Sequence, residues 1–132
     1  MVSPEPRAAA RGLAVVGMLA LASACFSAPA YGGAADVVAA TVRRVAPGVY
    51  DFDVTVRSVD RGSDYADAIE VLAPDGRRLG RRDLLHSHED EQPFTRDVHG
   101  VKVPAGVAAV VIRAHHRSRG YDGRTLTITL PR

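Results

Sequence analysis

The octapeptide YDFDVTVR at residues 50–57 sets the strongest limit on what this chain can fold into. Tyr50, Phe52, Val54 and Val56 alternate with Asp51, Asp53, Thr55 and Arg57. A period of two puts all four apolar side chains on one face of an extended strand and the polar ones on the other. A helix would scatter them around its circumference. TLTITL at 125–130 repeats the pattern with Leu126, Ile128 and Leu130. GVAAVVIRA at 106–114 is more continuously apolar and β-branched, as a central strand would be.

Turn signals separate such runs. Ala46-Pro47-Gly48, Pro74-Asp75-Gly76 and Pro104-Ala105-Gly106 each join a Pro, which fixes φ, to a Gly, which tolerates positive φ. Seven strands follow, at 36–44, 48–59, 67–73, 77–86, 93–103, 106–115 and 124–131. Their spacing predicts an all-β, seven-stranded antiparallel sandwich of immunoglobulin or fibronectin-III type over residues 36–132. DVVAATVRR at 36–44 also carries enough Ala to read as a short helix.

The N-terminus reads as an export signal. Arg7 and Arg11 precede the uncharged run GLAVVGMLALASA at 12–24. That run is shorter than the roughly 20 residues a membrane-spanning helix needs, so it is an h-region and not an anchor. Ala28-Pro29-Ala30 offers small residues at −3 and −1, which places cleavage after Ala30. Residues 1–30 are then a signal peptide and 31–35 a flexible start, with no transmembrane span after processing. Cys25 follows Leu21-Ala22-Ser23-Ala24, a lipobox-like run with its Leu displaced to −4. Lipid anchoring at Cys25 is therefore the weaker alternative to a free periplasmic or secreted product.

Composition excludes several functions. The 132 residues hold 17 Lys and Arg against 15 Asp and Glu, for a net charge of +2, which is no basis for nucleic-acid binding. A single Cys excludes a disulfide framework and a thiolate zinc cluster. Zero Trp leaves no aromatic platform for sugars or bases. Ser58, Ser63, Ser87 and Ser118 lack a Gly-x-Ser-x-Gly elbow, and a sandwich this small offers no deep cleft for a desolvated carboxylate pair. The chain reads as no enzyme.

In an antiparallel sandwich, successive connections alternate between the two ends. With strands labelled A to G, the A–B, C–D and E–F connections are the three Pro-Gly turns. The B–C, D–E and F–G connections, at 60–67, 86–92 and 115–124, meet at the opposite pole and hold four of the five His. They carry seven acids and four arginines, so the pole is locally anionic and favours a cation. The assignment requires Gly100 to be a bulge within its strand and not a turn.

His86 and His88 form H-x-H, whose imidazoles point to one side of an extended strand. Imidazole suits copper and zinc, and Glu91, His115 or His116 could complete the shell. Asp60, Asp64 and Asp67 offer hard oxygens to calcium, although Gly62 breaks the EF-hand spacing. The competing readings are solvated loop histidines and an Asp-rich turn capping its own backbone. Arg77, Arg78, Arg81 and Arg82 read as charged protection of a sheet edge.

DRGSDYAD at 60–67, PDGRRLG at 74–80 and HSHEDEQPFTR at 86–96 resemble a group of small, exported, uncharacterised bacterial proteins. That resemblance implies export and a β-sandwich and brings no activity. The H-x-H pair is similar to the copper pair of copper-zinc superoxide dismutases, whose disulfide this chain lacks. Size, compartment and architecture are similar to CopC-type periplasmic copper carriers. Their N-terminal His ligand has no counterpart at the expected start, Tyr31-Gly32-Gly33.

Two functions of different class follow from these residues. One is a non-catalytic extracytoplasmic module that binds an unknown protein or small ligand through the B–C, D–E and F–G pole. The alternative is a copper- or zinc-binding periplasmic protein using His86 and His88. The exported product is expected to begin at Tyr31, which its intact mass checks. A lipid-modified Cys25 terminus or a retained Met1 overturns that expectation.

Overall fold

The computed structural model describes residues 32–132, together with Pro4. The expected signal peptide, its cleavage site after Ala30 and Cys25 lie outside the described residues. Seven strands follow in order: β1 (Ala35–Ala46), β2 (Val49–Ser58), β3 (Ala66–Leu72), β4 (Arg78–Asp83), β5 (Phe94–Lys102), β6 (Ala109–His116) and β7 (Leu126–Thr129). Among the described residues there is no helix. The Ala-rich 36–44 segment lies within β1, where antiparallel pairing to β2 from Ala35 to Ala46 overrides its helix propensity.

The strands form two antiparallel sheets, β1-β2-β5 and β4-β3-β6-β7. Phe52, Val54 and Val56 of β2 are fully buried in one apolar cluster with Ile69 and Val71 of β3 and Val110 and Ile112 of β6. Their intervening neighbours Asp51, Asp53 and Arg57 are not buried. The period of two thus sorts side chains between core and solvent as the sequence demands. The 106–114 run supplies β6, an inner strand of the four-stranded sheet.

Three of the strand ends that differ from expectation do so for a visible local reason. Segment 77–86 leaves the ladder after Asp83, where the Leu84 amide still donates to Asp67 O at 2.9 Å. The Pro104 turn extends to the Val107 amide, so β6 starts at Ala109. Before β7, Arg124 is turned towards β1. Its amide donates to Asp36 Oδ1 at 2.7 Å and its carbonyl accepts from the Val37 amide at 2.9 Å. At the N-terminus the ordered fold reaches back into the expected flexible stretch 31–35. Ala34 and Ala35 are buried, and the Ala34 amide donates to Asp122 Oδ1 at 2.9 Å.

Gly100 settles the direction of everything after it. Phe52 pairs with Val98 and Tyr50 with Val101, so His99 and Gly100 together face Asp51 alone. This is a β-bulge. Gly100 takes φ +60°, and its amide donates to Asp51 Oδ1 at 2.8 Å. β5 continues in one direction through the bulge, so the alternation of connections between the two poles holds.

The outer face of the four-stranded sheet carries one buried ion cluster. Glu70 of β3 pairs in register with Arg81 of β4 and Arg113 of β6. Its side chain is 1% exposed and accepts from Arg78, Arg81 and Arg113 at 3.1, 3.1 and 2.9 Å. The Arg113 guanidinium in turn lies 3.7 Å from the Tyr121 ring centroid. Burial raises the Glu70 pKa, but hydrogen bonds from Tyr121, Arg78 and Arg113 outweigh it and hold the carboxyl at about 2. A depressed carboxyl stabilises the fold above its ordinary titration range, and that stability is lost as pH falls towards the folded-state value. In urea unfolding, Glu70→Gln is expected to lower stability by on the order of 3 kcal/mol at pH 7. The gap to the wild type should narrow between about pH 4.5 and pH 2; a gap independent of pH would show that Glu70 is not held ionised.

Candidate functional site

The B–C, D–E and F–G connections meet at one end of the sandwich, held together by side chains at their roots. Asp60 follows β2 and is fully buried. Its Oδ1 accepts from the Ala66 amide at 3.0 Å and its Oδ2 from the His88 amide at 2.8 Å. One carboxylate therefore closes the B–C loop onto β3 and pins the D–E loop beside it. Gln92 adds a second clamp. Its Oε1 accepts from the Ser58 amide at 2.8 Å, and its Nε2 donates to Ser58 Oγ and His88 O at 3.1 and 3.0 Å.

The F–G loop joins from the other side. A tight turn pairs the His116 and Gly120 backbones in both directions. Arg117 donates to Ser63 O at 2.9 Å, and Ser118 Oγ donates to Asp64 Oδ2 at 2.8 Å. Gly123 passes so close to β1 that a Cβ there would stand 1.7 Å from Ala35 O, a position only glycine can fill. The start of β1 is thus part of this pole.

The histidines separate. His115 and His116 are consecutive on β6 and so face opposite ways. His115 Nδ1 lies 2.5 Å from Asp67 Oδ1, and its ring meets Tyr121 edge-on. His116 points inward and is buried; its Nε2 donates to Val59 O at 2.9 Å, which leaves Nδ1 as an acceptor facing Ser118. His99 stands on β5 between Asp97 and Asp51. Only His86 and His88 come together, with ring centroids 4.6 Å apart.

Of the five residues named for a transition metal, the structure therefore joins two. Glu91 is drawn to Arg96 at 3.1 Å, whose hydrogen bonds hold its carboxyl below the usual range. Among the described residues, no group of three or more His, Cys, Asp and Glu is placed to hold a metal ion. The calcium triplet divides as well. Asp60 is taken by two backbone amides, Asp64 by Ser118 and Asp67 by His115. For Asp60, the cap on the Ala66 amide is the turn-capping reading itself.

His88 is the polar group the fold does not satisfy. Its side chain is 2% exposed, and neither ring nitrogen has a hydrogen-bond partner among the described residues. The ring stacks on Phe94 at 4.0 Å, and Asp60 Oδ2 is 3.9 Å from Nδ1, beyond hydrogen-bond range. Burial, then the charges of Arg96 and His86, push its pKa down, so the ring is neutral at pH 7. An unpaired buried polar group costs about 1–3 kcal/mol. His88 lies in a groove of about 140 Å³ lined also by Arg82, Leu85, His86 and Arg96. A second hollow of about 200 Å³ lies between Val59, His116, Ser118 and Arg119. There the Ser118 hydroxyl is given to a carboxylate, and His116 Nε2 is spent on a backbone carbonyl. His116 Nδ1 lies 3.3 Å from the same hydroxyl.

Sequence reasoning included the Asp60 cap but overlooked its reach to the His88 amide, and it overlooked Gln92 as a clamp. A signal for Asp60 existed: it directly follows a strand, where a short carboxylate caps the next backbone amides. Nothing local marks Gln92, whose partner Ser58 is 34 residues away.

No protein-family model matches the chain, and no solved structure matches it. The chain is 40% identical over 95 residues to a protein of Halomicrobium mukohataei described as "Putative lipoprotein". The match takes in 71% of this chain and 46% of that protein, so the chain spans about half the length of its relative. These comparisons show no link to copper-zinc superoxide dismutases or to CopC-type carriers.

The latch gives a direct test. Asp60→Ala leaves two amides without an acceptor and is expected to lower the unfolding free energy by about 3 kcal/mol in denaturant titration. Asp64→Ala, with half of its side chain exposed, should change it by less than about 0.5 kcal/mol. Equal effects of the two substitutions would remove Asp60 from the centre of the pole.

Proposed function

We propose that this chain is a non-catalytic exported binding module that engages its partner through the B–C, D–E and F–G pole. The observation that carries the reading is where large apolar side chains remain exposed. Among the described residues, three of the four exposed large apolar side chains stand at this pole: Val59, 58% exposed, just before the B–C loop, Leu85, 82%, just before the D–E loop, and Tyr121, 44%, in the F–G loop; the fourth, Val45, stands at the opposite pole. Loops fixed by a rigid scaffold and presenting apolar anchors are how such sandwiches bind. The hydrogen bonds of Asp60, Gln92 and Ser118 limit the entropy those loops would lose on binding.

The strand order supports the fibronectin-III side of the expected pair. β4 pairs with β3, whereas in constant-type immunoglobulin domains the fourth strand joins the sheet of the first, second and fifth. Similarity to a protein described as a lipoprotein supports export. It also bears on orientation, because the chain reaches β1 at the loop pole. Eight residues separate Cys25 from Ala34, a reach of at most about 30 Å. An anchor at Cys25 would hold the pole towards the membrane; cleavage after Ala30 would leave it free.

Site-specific photo-crosslinking in the native host tests the reading. A crosslinking residue at Val59 or Leu85 is expected to yield a defined adduct. One at Val45, half exposed near the A–B turn at the other pole, should yield none. Adducts at Val45 alone would overturn the assignment.

A further inference from the structure

The D–E loop holds an arrangement the partner-binding reading does not use. We infer that His86 and His88 form a two-imidazole site for one divalent transition ion, copper(II) or zinc(II), in the groove between the D–E loop and β5. This rests on the reading of the loop pole as the binding end of the domain, and it deepens it by naming a ligand class.

The side-chain geometry supports it at three points. First, both ring nitrogens of His88 are without a partner among the described residues although the side chain is 2% exposed and lies against the groove. A bound ion is one way to satisfy a buried polar group of this kind. Second, a backbone oxygen orients His86. Its Nδ1 lies 3.0 Å from Ser87 O, so the proton sits on Nδ1 and the Nε2 lone pair is left for an ion. Third, the rings are close enough to share an ion. Metal–nitrogen bonds of about 2.0–2.1 Å put the centroids of two bound imidazoles about 5 Å apart, and here they are 4.6 Å apart.

Phe94 fixes the His88 ring from behind, stacked at 4.0 Å. The two guanidiniums at the groove do not oppose a cation with their full charge. Arg82 is paired with Asp97 and Arg96 with Glu91. Imidazole donors select copper or zinc over magnesium or calcium. Two protein ligands leave the remaining coordination positions to water or to a donor from the partner.

The test uses the processed protein purified untagged from its own host, stripped with a chelator and titrated with copper(II) sulfate and, separately, zinc sulfate. Calorimetry is expected to show one equivalent bound, and the copper(II) paramagnetic resonance spectrum should show coupling to two nitrogens. His86→Ala should weaken binding by at least about tenfold and reduce the coupling to one nitrogen. His86 is exposed, so this variant keeps its fold. His88→Gln should do the same, with thermal unfolding as its control, and His115→Ala should change nothing. Absence of stoichiometric uptake, an unaffected His86→Ala, or an equal loss in His115→Ala overturns the site. Crosslinking from Leu85 on metal-free protein separates the two readings. Adducts without metal uptake leave the partner-binding pole standing and remove the ion. Uptake without adducts does the reverse.

Discussion

The architecture of the loop pole depends on one carboxylate taken out of water. Asp60 is fully buried and, among the described residues, has no cation at hydrogen-bond distance; two backbone amides hold it instead. Charge-assisted bonds of this kind are about twice as strong as neutral ones, and they work only while both donors stay in place. The carboxylate therefore couples the end of β2, the start of β3 and the D–E loop. Asp60 thereby fixes the backbone of His88, whose ring is packed against Phe94.

Charge at the pole differs from what counting acids implies. The three loops are rich in Asp and Glu, yet most of these groups have structural partners. Asp60 and Asp122 hold backbone amides, Asp64 holds Ser118, Asp67 meets His115 and Glu91 meets Arg96. A general anionic field is therefore a poor argument for a cation here. What favours a cation is local: two neighbouring imidazoles, one of them buried without partners among the described residues.

The same separation of charge from consequence holds on the outer sheet face. Arg78, Arg81 and Arg82 look like a basic edge in the sequence. Two of them close over Glu70, and the third pairs with Asp97 on the neighbouring sheet. Glu70 takes a face of β3 that would otherwise be apolar, and its three arginines replace water as its solvation. Removing a single partner from such a group leaves a buried charge uncompensated, which is why it ties β4, β3 and β6 together more firmly than exposed ion pairs would.

The strands, their number and the two poles were legible in the sequence, because alternation and Pro-Gly turns are local signals whose physical cause lies within a few residues. YDFDVTVR needs only its own period to declare a half-buried strand, and the Gly100 bulge mattered only because strand parity fixes which loops meet. The pairing of side chains across the fold was not legible. His86-Ser87-His88 announces two imidazoles on one side, but nothing nearby says that His88 will be buried against Phe94 while His86 stays in solvent. His115 and His116 were each offered to the shell of His86 and His88, and the pleat of β6 sent them to opposite faces. Asp60 finding His88, Gln92 finding Ser58 and Glu70 finding Arg113 each join residues 28 to 43 positions apart. Such contacts are decided by how two sheets stack and which loop roots they bring together, and that is a property of the packed tertiary structure alone.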